Sequence, residues 1–484
     1  MIISELSAAD VAGVVGGRLA RGDTGLHFGR VCTDTRTLVP GSLFVAIRGE
    51  RFDGHQFLAQ ALAAGAAGLM IDAGRPGVDL GGGVALIEVE DTLRALGDLA
   101  RALRQRHPVP LIAVTGSNGK TTTKELLYSI LTEGGRRVLK NEGNFNNLIG
   151  VPLTLFRLER GHQAAVVEMG MNRPGEIARL TGICEPDVGL ITSVAAAHTA
   201  GLGDIAGVAR AKGEIFARLP ASARAVVNLD DEWVRGLETK AQRITFSGQR
   251  EDADVFGVFV RDLGLRGLEF RLTVAGRTVE KARLGLVGRH KLSMALAAAA
   301  AAHAAGVGLE RIAAGLEAHV PAGAKRLEAV RGGGGFWCLN DAYNANPASM
   351  AAGLKTAAEV ARNQQGRLFA ALGEMLELGA LSEEAHKETG RLCFRLGARA
   401  VAFLAEGSGP LYGAGAVDAG MDPSAVLAGE TCAEIASRLR PLLAPNDVLL
   451  VKGSRRTRME RVVEALIEPE THSEDAGNRC STLS

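Results

Sequence analysis

The stretch VTGSNGKTTTKE, residues 114–125, decides how the rest of the chain is read. It follows the apolar run LIAV, the pattern of a buried parallel strand, and leads into a helical pattern with Leu126, Leu127 and Ile130. Gly119, Lys120 and Thr121 fit the end of the phosphate-loop pattern G-x-x-x-x-G-K-[ST], but Val114 stands where its first glycine belongs. The alternative is a shorter loop opening at Gly116, with Ser117 and Asn118 between the glycines. Strand, glycine turn, Lys-Thr and helix is the context in which backbone N–H groups and a helix N-terminus meet anionic phosphates. In that role Lys120 balances charge on the outer phosphates, and Thr121, followed by Thr122, is placed for a metal ion. Read alone, the stretch is equally well a glycine-rich turn with no ligand.

The bulk numbers exclude several classes. The 484 residues allow two to four domains, and 46% hydrophobic with 23% charged residues is ordinary for a globular protein. A net charge of +1 argues against whole-chain nucleic-acid or membrane binding. The six cysteines are scattered singly with no C-x-x-C pair, so neither a zinc knuckle nor a dithiol motif is indicated. MIISELSAADVAGVVGG lacks the basic start and apolar core of a signal peptide, and the apolar run from Met294 is too short to span a bilayer. The expectation is a cytoplasmic protein without membrane insertion.

Working outward from the loop, three blocks emerge. Residues 1–87 hold SLFVAIRG, a helical stretch HQFLAQALAAGA and a glycine-rich turn, and read as a small α/β domain. Residues 88–320 alternate apolar runs (AAVVEMG, DVGLITSV, RAVVNLD) with helical patterns, which indicates a mostly parallel sheet with helices on both faces. Before them lies VEDTLRALGDLARALRQRH, a helix ending at His107 and Pro108, and near their end a hairpin turns at Ala275 and Gly276. Residues 321–467 contain four more strand-like runs, each ending in polar or glycine residues, as in a Rossmann-like α/β domain with its site at the strand ends. Residues 468–484 form a polar tail. Two further polar residues fall at strand ends, Glu168 in AVVEMG and His198 in VAAAHTAGLGD. Each taken singly reads as a solvent-facing residue.

Together these segments resemble the Mur ligase family over nearly the whole chain except the tail. The family's shortened loop T-G-[ST]-N-G-K-T is matched by TGSNGKT. TDTRTLVPGSLFVAIRGERFDGH is similar to the family's N-terminal uridine-nucleotide segment, NEGNFNNLIGVPLTL to the segment after the loop helix, and ARAKGEIF to its lysine segment. GEMLELG and LVKGSR extend the likeness to the C-terminal block. DAYNANPASM has the form expected of members that add a dipeptide. Members that add the third residue usually carry D-Y-A-H-x-P there and a D-N-P-R motif, which is not evident in this chain.

The resemblance implies an ATP-dependent amide ligase that joins D-alanyl-D-alanine to UDP-N-acetylmuramoyl-tripeptide through an acyl phosphate, working as a monomer with no nucleic-acid partner. It implies Lys120, Glu168, His198 and Lys212 as catalytic positions, with Thr121, Glu168, His198 and Lys212 at two Mg²⁺ sites. Lys212 is carbamylated by CO₂ in this picture; without it, Lys212 reads as an ordinary surface lysine on a helix. ATP is expected at Gly116 to Thr122, His290, Arg326, Asp341 and Asn344. The UDP-sugar substrate is expected at Asp34, Thr35, Arg36, Asp53, Gly54 and His55, with Asn144, Asn146, Asn147 and Asn346 also near substrate. Asn144, Asn146 and Asn147 serve equally well as helix caps. Two departures stand out. GRHKLSMALAAA has Lys291 and Met294 where the family usually carries asparagines, the first of them an adenine contact, and Asn141 stands where a threonine is common. The rival readings are a sister ligase acting on another amino acid or on folate, and a nucleotide-binding regulator without turnover.

Overall fold

The computed structural model describes residues 2–49, 52–75, 82–195, 202, 204–320, 325–376 and 378–467. His198 and the tail from 468 onward lie outside the described residues. No described helix is long and apolar enough to cross a membrane.

The first sheet is built from β1 (Arg18–Arg21), β2 (Arg30–Cys32), β3 (Ser42–Val45), β4 (Gly68–Asp72) and β5 (Ala85–Val89), in the order β1-β5-β4-β3-β2. All its pairings are parallel except β1 with β5. The helix Thr92–Arg106 follows. Asp91 caps it by accepting from the Arg94 N–H, and it stops at His107 before Pro108, as expected.

The central sheet contains β6 (Leu111–Thr115), β7 (Val138–Lys140), β8 (Ala164–Glu168), β9 (Val188–Ile191), β10 (Arg224–Asn228), β11 (Gln242–Ser247), β12 (Val255–Asp262), β13 (Leu268–Val274) and β14 (Arg277–Leu284). Their order is β14-β13-β12-β11-β10-β9-β6-β8-β7. From β7 through β12 every pairing is parallel. The glycine loop therefore leaves a strand in the middle of the sheet, flanked by β8 and β9, whose C-terminal ends carry Glu168 and the 192–195 segment. The hairpin between β13 and β14 turns on Ala275 (φ 47°) and Gly276 (φ 79°), the paired left-handed residues that a two-residue hairpin loop requires.

The first two sheets share one hydrophobic cluster. Ile3, Leu6, Ile87, Leu96, Leu99, Leu103, Leu111 and Leu155 all belong to it, so the two N-terminal blocks form a single compact unit (residues 1–261, 269–285 and 290–319).

The second unit (262–268, 286–289 and 320–484) carries β15 (Glu328–Arg331), β16 (Trp337–Asp341), β17 (Leu368–Leu372), β18 (Ala398–Leu404), β19 (Val426–Gly429) and β20 (Val448–Lys452). Their order is β15-β16-β20-β17-β18-β19, with only β15 antiparallel. The period-two pattern sorts its core: Leu339, Ala370, Leu372, Val448 and Leu450 pack on one face. Cys338, Phe369, Ala371, Leu449 and Val451 pack on the other. A sheet covered on both faces explains why these strands read as unbroken apolar runs.

Candidate active site

The loop closes on its neighbouring strand end. Gly116 (φ 144°) and Gly119 (φ 83°) take backbone conformations that favour glycine. A Cβ on Gly116 would lie 2.0 Å from Thr192 Oγ1, and one on Gly119 would lie 3.1 Å from Met294 Cγ. Thr192 Oγ1 donates to the Asn118 carbonyl (2.6 Å), the Ser117 N–H donates to the Ser193 carbonyl (2.7 Å), and the Ala195 N–H donates to Ser117 Oγ (2.9 Å). The helix Lys120–Thr132 begins directly at the loop. Its first N–H groups and the loop amides lie at one end of the parallel sheet, the arrangement that receives phosphate oxygens. Lys120 curls over this turn and donates from Nζ to the carbonyls of Gly116 (2.7 Å) and Ser117 (3.3 Å).

Glu168, at the end of β8, is 2% exposed and faces the start of the loop helix. Thr121 Oγ1 donates to its Oε2 (2.7 Å) and Asn146 Nδ2 donates to its Oε1 (2.9 Å). A hydroxyl and a carboxylate brought together beside a phosphate loop are oxygen donors of the kind Mg²⁺ takes. Among the described residues no three His, Cys, Asp or Glu side chains gather into a metal cage. Mg²⁺ held through one or two protein oxygens plus substrate phosphates needs none.

Lys212 lies on the helix Ile205–Arg218, whose first turn Asp204 caps by accepting from the Gly207 N–H (2.7 Å). Val208, Ala209, Ile215 and Phe216 form that helix's buried stripe, and position 212 falls within it. Lys212 is therefore 2% exposed, not a surface lysine. Burial pushes its pKa well below the usual lysine range, and the positive charge of Lys120 adds to the effect.

The other expected residues divide by role. Asn147 Oδ1 accepts from the N–H groups of Ile149 and Gly150, so it caps the start of the next helix. Asn144 accepts the Asn146 N–H through its main-chain carbonyl. His290 precedes the helix Lys291–Ala304, in which Lys291 is buried.

In the N-terminal sheet Asp34 pairs with Arg36 (2.6 Å), and Thr35 donates to Gln60 (3.3 Å). Asp53 and His55 are more tightly fixed. The Asp72 N–H donates to His55 Nε2 (3.0 Å), which leaves the proton on Nδ1, and Nδ1 donates to Asp53 (2.6 Å). Arg75 reaches the other Asp53 oxygen (3.1 Å). Gly54 has no room for a side chain, since a Cβ would lie 2.7 Å from the Ile47 nitrogen.

In the second unit Arg326 stacks on the Tyr343 ring at 4.1 Å. Asp341 receives Lys452 Nζ at 2.6 Å, and the same ammonium donates to the Asn344 carbonyl (2.9 Å). Asn346 caps the helix Pro347–Asn363 in a reciprocal box with Ser349. Sequence reasoning missed Lys452, Arg75, Lys124 and the role of Asn141. Lys452 sits inside LVKGSR and was readable as a cation at a strand end; Lys124 and Asn141 sit inside VTGSNGKTTTKE and NEGNFNNLIGVPLTL but their partners lie far off in sequence, and Arg75 falls in no quoted motif.

A glycine loop between a central parallel strand and a helix, with a lysine over it and a threonine–carboxylate pair behind it, defines a phosphate-loop nucleotide enzyme of the α/β class. Comparison with known proteins narrows that class. Residues 27–104 match the model described as Mur ligase family, catalytic domain; residues 114–302 match the Mur ligase middle domain; residues 325–455 match the Mur ligase, glutamate ligase domain. The chain belongs to the Mur ligase family. It is 38% identical over 474 residues to the UDP-N-acetylmuramoyl-tripeptide–D-alanyl-D-alanine ligase of Escherichia coli, covering 96% of this chain and 98% of that protein. A crystal structure of MurF from Acinetobacter baumannii superposes with TM-score 0.84 at 32% identity, covering 95% of this chain and 98% of that one. MurF ligase from Thermotoga maritima in complex with ADP gives TM-score 0.76 at 28% identity over 90% and 96% of the two chains.

Proposed function

We propose that the protein is an ATP-dependent ligase that joins D-alanyl-D-alanine to UDP-N-acetylmuramoyl-tripeptide, making the pentapeptide precursor of peptidoglycan and releasing ADP and phosphate. The observation that carries this assignment is the end-to-end likeness to the E. coli ligase that bears that substrate pair in its name. The reaction is placed in the cytoplasm, without membrane insertion or a nucleic-acid partner, and the chain works as a monomer. Residues 1–87 take the UDP-sugar, 88–320 the ATP, and 321–467 the incoming dipeptide.

A carboxylate is a poor acyl donor, and its approach to ATP brings two anions together. The chain's contribution is positioning and charge. The loop amides and the first turn of the helix Lys120–Thr132 hold the phosphates, and Lys120 exchanges its two loop carbonyls for phosphate oxygens. Thr121 and Glu168 would hold Mg²⁺, which would offset phosphate charge, and His198 and Lys212 would serve a second ion. The lowering of the Lys212 pKa by burial favours its neutral amine, the form that adds to CO₂ to give a carbamate anion and a proton. That addition turns a neutral amine, one that feels the charge of Lys120, into an anion. The tripeptide carboxylate then attacks the γ-phosphorus and expels ADP. The dipeptide amine adds to the resulting acyl phosphate, loses its proton, and expels phosphate as the amide forms. His290, Arg326, Asp341 and Asn344 are assigned to the nucleotide. Asp34, Thr35, Arg36, Asp53, Gly54 and His55 are assigned to the UDP-sugar, and Asn144, Asn146, Asn147 and Asn346 to substrate.

An oxygen-18 label on the reacting tripeptide carboxylate tests this route. The label is expected in the released phosphate, because the attacking oxygen stays on phosphorus when the amine displaces it. Phosphate free of label would exclude the acyl phosphate.

A further inference from the structure

Glu168 is held by more than its carboxylate partners, and the additional hold comes from a residue to which the mechanism gives no part. Asn141 follows the last residue of β7, which pairs in parallel with β8. It is 1% exposed. Its Oδ1 accepts from the Glu168 N–H (2.9 Å) and its Nδ2 donates to the Glu168 carbonyl (2.9 Å). The side-chain amide thus bonds both the N–H and the carbonyl of Glu168, like one more rung of the sheet just past the end of β7.

The same Nδ2 donates to the Phe145 carbonyl (2.9 Å), one residue before Asn146. Asn146 is the residue that donates to Glu168 Oε1. Its main-chain carbonyl accepts the Gly170 N–H (2.7 Å), and its side chain fills the space beside Gly170, where a Cβ would lie 2.9 Å from Asn146 Cγ. Asn141 is held in turn by Lys124, 1% exposed, whose Nζ donates to the Asn141 carbonyl (2.8 Å) and lies 3.9 Å from Glu168 Oε2. A buried amide whose donor and acceptor are both engaged has one orientation, and it fixes both the strand end and the loop that reaches the carboxylate.

We propose that Asn141, braced by Lys124, is a positioning residue that aims the Glu168 carboxylate at Thr121 and so sets the affinity of the cation site between them. This rests on reading the Thr121–Glu168 pair as that cation site. A threonine in place of Asn141 keeps at most an acceptor for the Glu168 N–H. Its single O–H cannot also serve the Glu168 and Phe145 carbonyls.

The test is ADP binding to the full chain by calorimetry, with Mn²⁺ and in metal-free buffer. In the unmodified protein Mn²⁺ is expected to tighten ADP binding. In Asn141→Thr that metal-dependent gain is expected to fall about 10- to 100-fold, the usual cost of losing an outer-sphere partner, while metal-free ADP binding changes by no more than about twofold. Asn141→Leu removes every bond and is expected to lose at least as much; if it fails to fold, Asn141→Thr carries the test alone. Full metal-dependent tightening in Asn141→Thr would overturn the proposal, and so would an equal loss with and without metal, the mark of a merely structural residue. No metal-dependent gain in the unmodified protein would remove the cation-site reading itself, and this proposal with it.

Discussion

Lys120→Ala is expected to lower kcat for ligation by about 10²- to 10³-fold, the range seen when one preorganised charge-stabilising donor is removed, with thermal stability little changed. The structure separates these two effects. The loop is tied down without the lysine, through Thr192 Oγ1 to the Asn118 carbonyl, Ser117 N–H to the Ser193 carbonyl, and Ala195 N–H to Ser117 Oγ. Lys120 is only partly buried and bonds carbonyls of its own turn, so its loss opens little core. In the proposed reaction, what is lost is the cation that meets the phosphates as charge redistributes in the transition state. Steady-state kinetics alongside a melting curve decides the matter. Turnover close to that of the unmodified protein would remove the loop from the reaction.

Lys212→Ala is expected to abolish activity and to recover part of it when small carboxylic acids such as acetate are added. Position 212 lies among Val208, Ala211, Ile215 and Phe216 on the buried face of its helix. A lysine there is costly to bury as an ammonium, so its presence on a buried face points to chemistry. Alanine leaves a space into which a free carboxylate fits as a stand-in for the proposed carbamate. It also costs stability, about 2–5 kcal/mol by analogy with other long-to-alanine core changes. Lys212→Met is the control: it fills the volume on the apolar face, is expected to fold, and is expected to stay inactive with or without acetate. Full activity of either variant without rescue would make Lys212 a bystander.

Much of the fold was legible because the strands obey simple rules. Runs such as LIAV and DVLLV are apolar throughout because both faces of their sheets are covered, and the hairpin announced itself through Ala275 and Gly276. The helix ending at His107 was readable from Pro108. The site was legible where its chemistry is local in sequence: Gly116 through Thr121 form one turn, and Glu168 closes a strand. It was not legible where partners are distant. Nothing in sequence says that Asn141 brackets the peptide of Glu168, that Lys452 reaches Asp341, or that the Asp72 N–H fixes the tautomer of His55. The first two of those contacts arise from strand order, which brings β7 beside β8 and β16 beside β20. The asparagines show the limit of motif reading. Asn147 and Asn346 spend their side chains on helix starts, while Asn146 faces the carboxylate. The burial of Lys212 was within reach of the sequence, since Val208, Ala211, Ile215 and Leu219 already trace a stripe through that part of the helix.

The most direct test of the central claim is phosphate release by the purified protein with ATP, Mg²⁺ and UDP-N-acetylmuramoyl-tripeptide, measured with and without D-alanyl-D-alanine. The expected result is release that depends on the dipeptide, in step with a product whose mass is that of the pentapeptide. Release driven instead by a single amino acid or a folate, or ATP binding with no turnover on any acceptor, would contradict it.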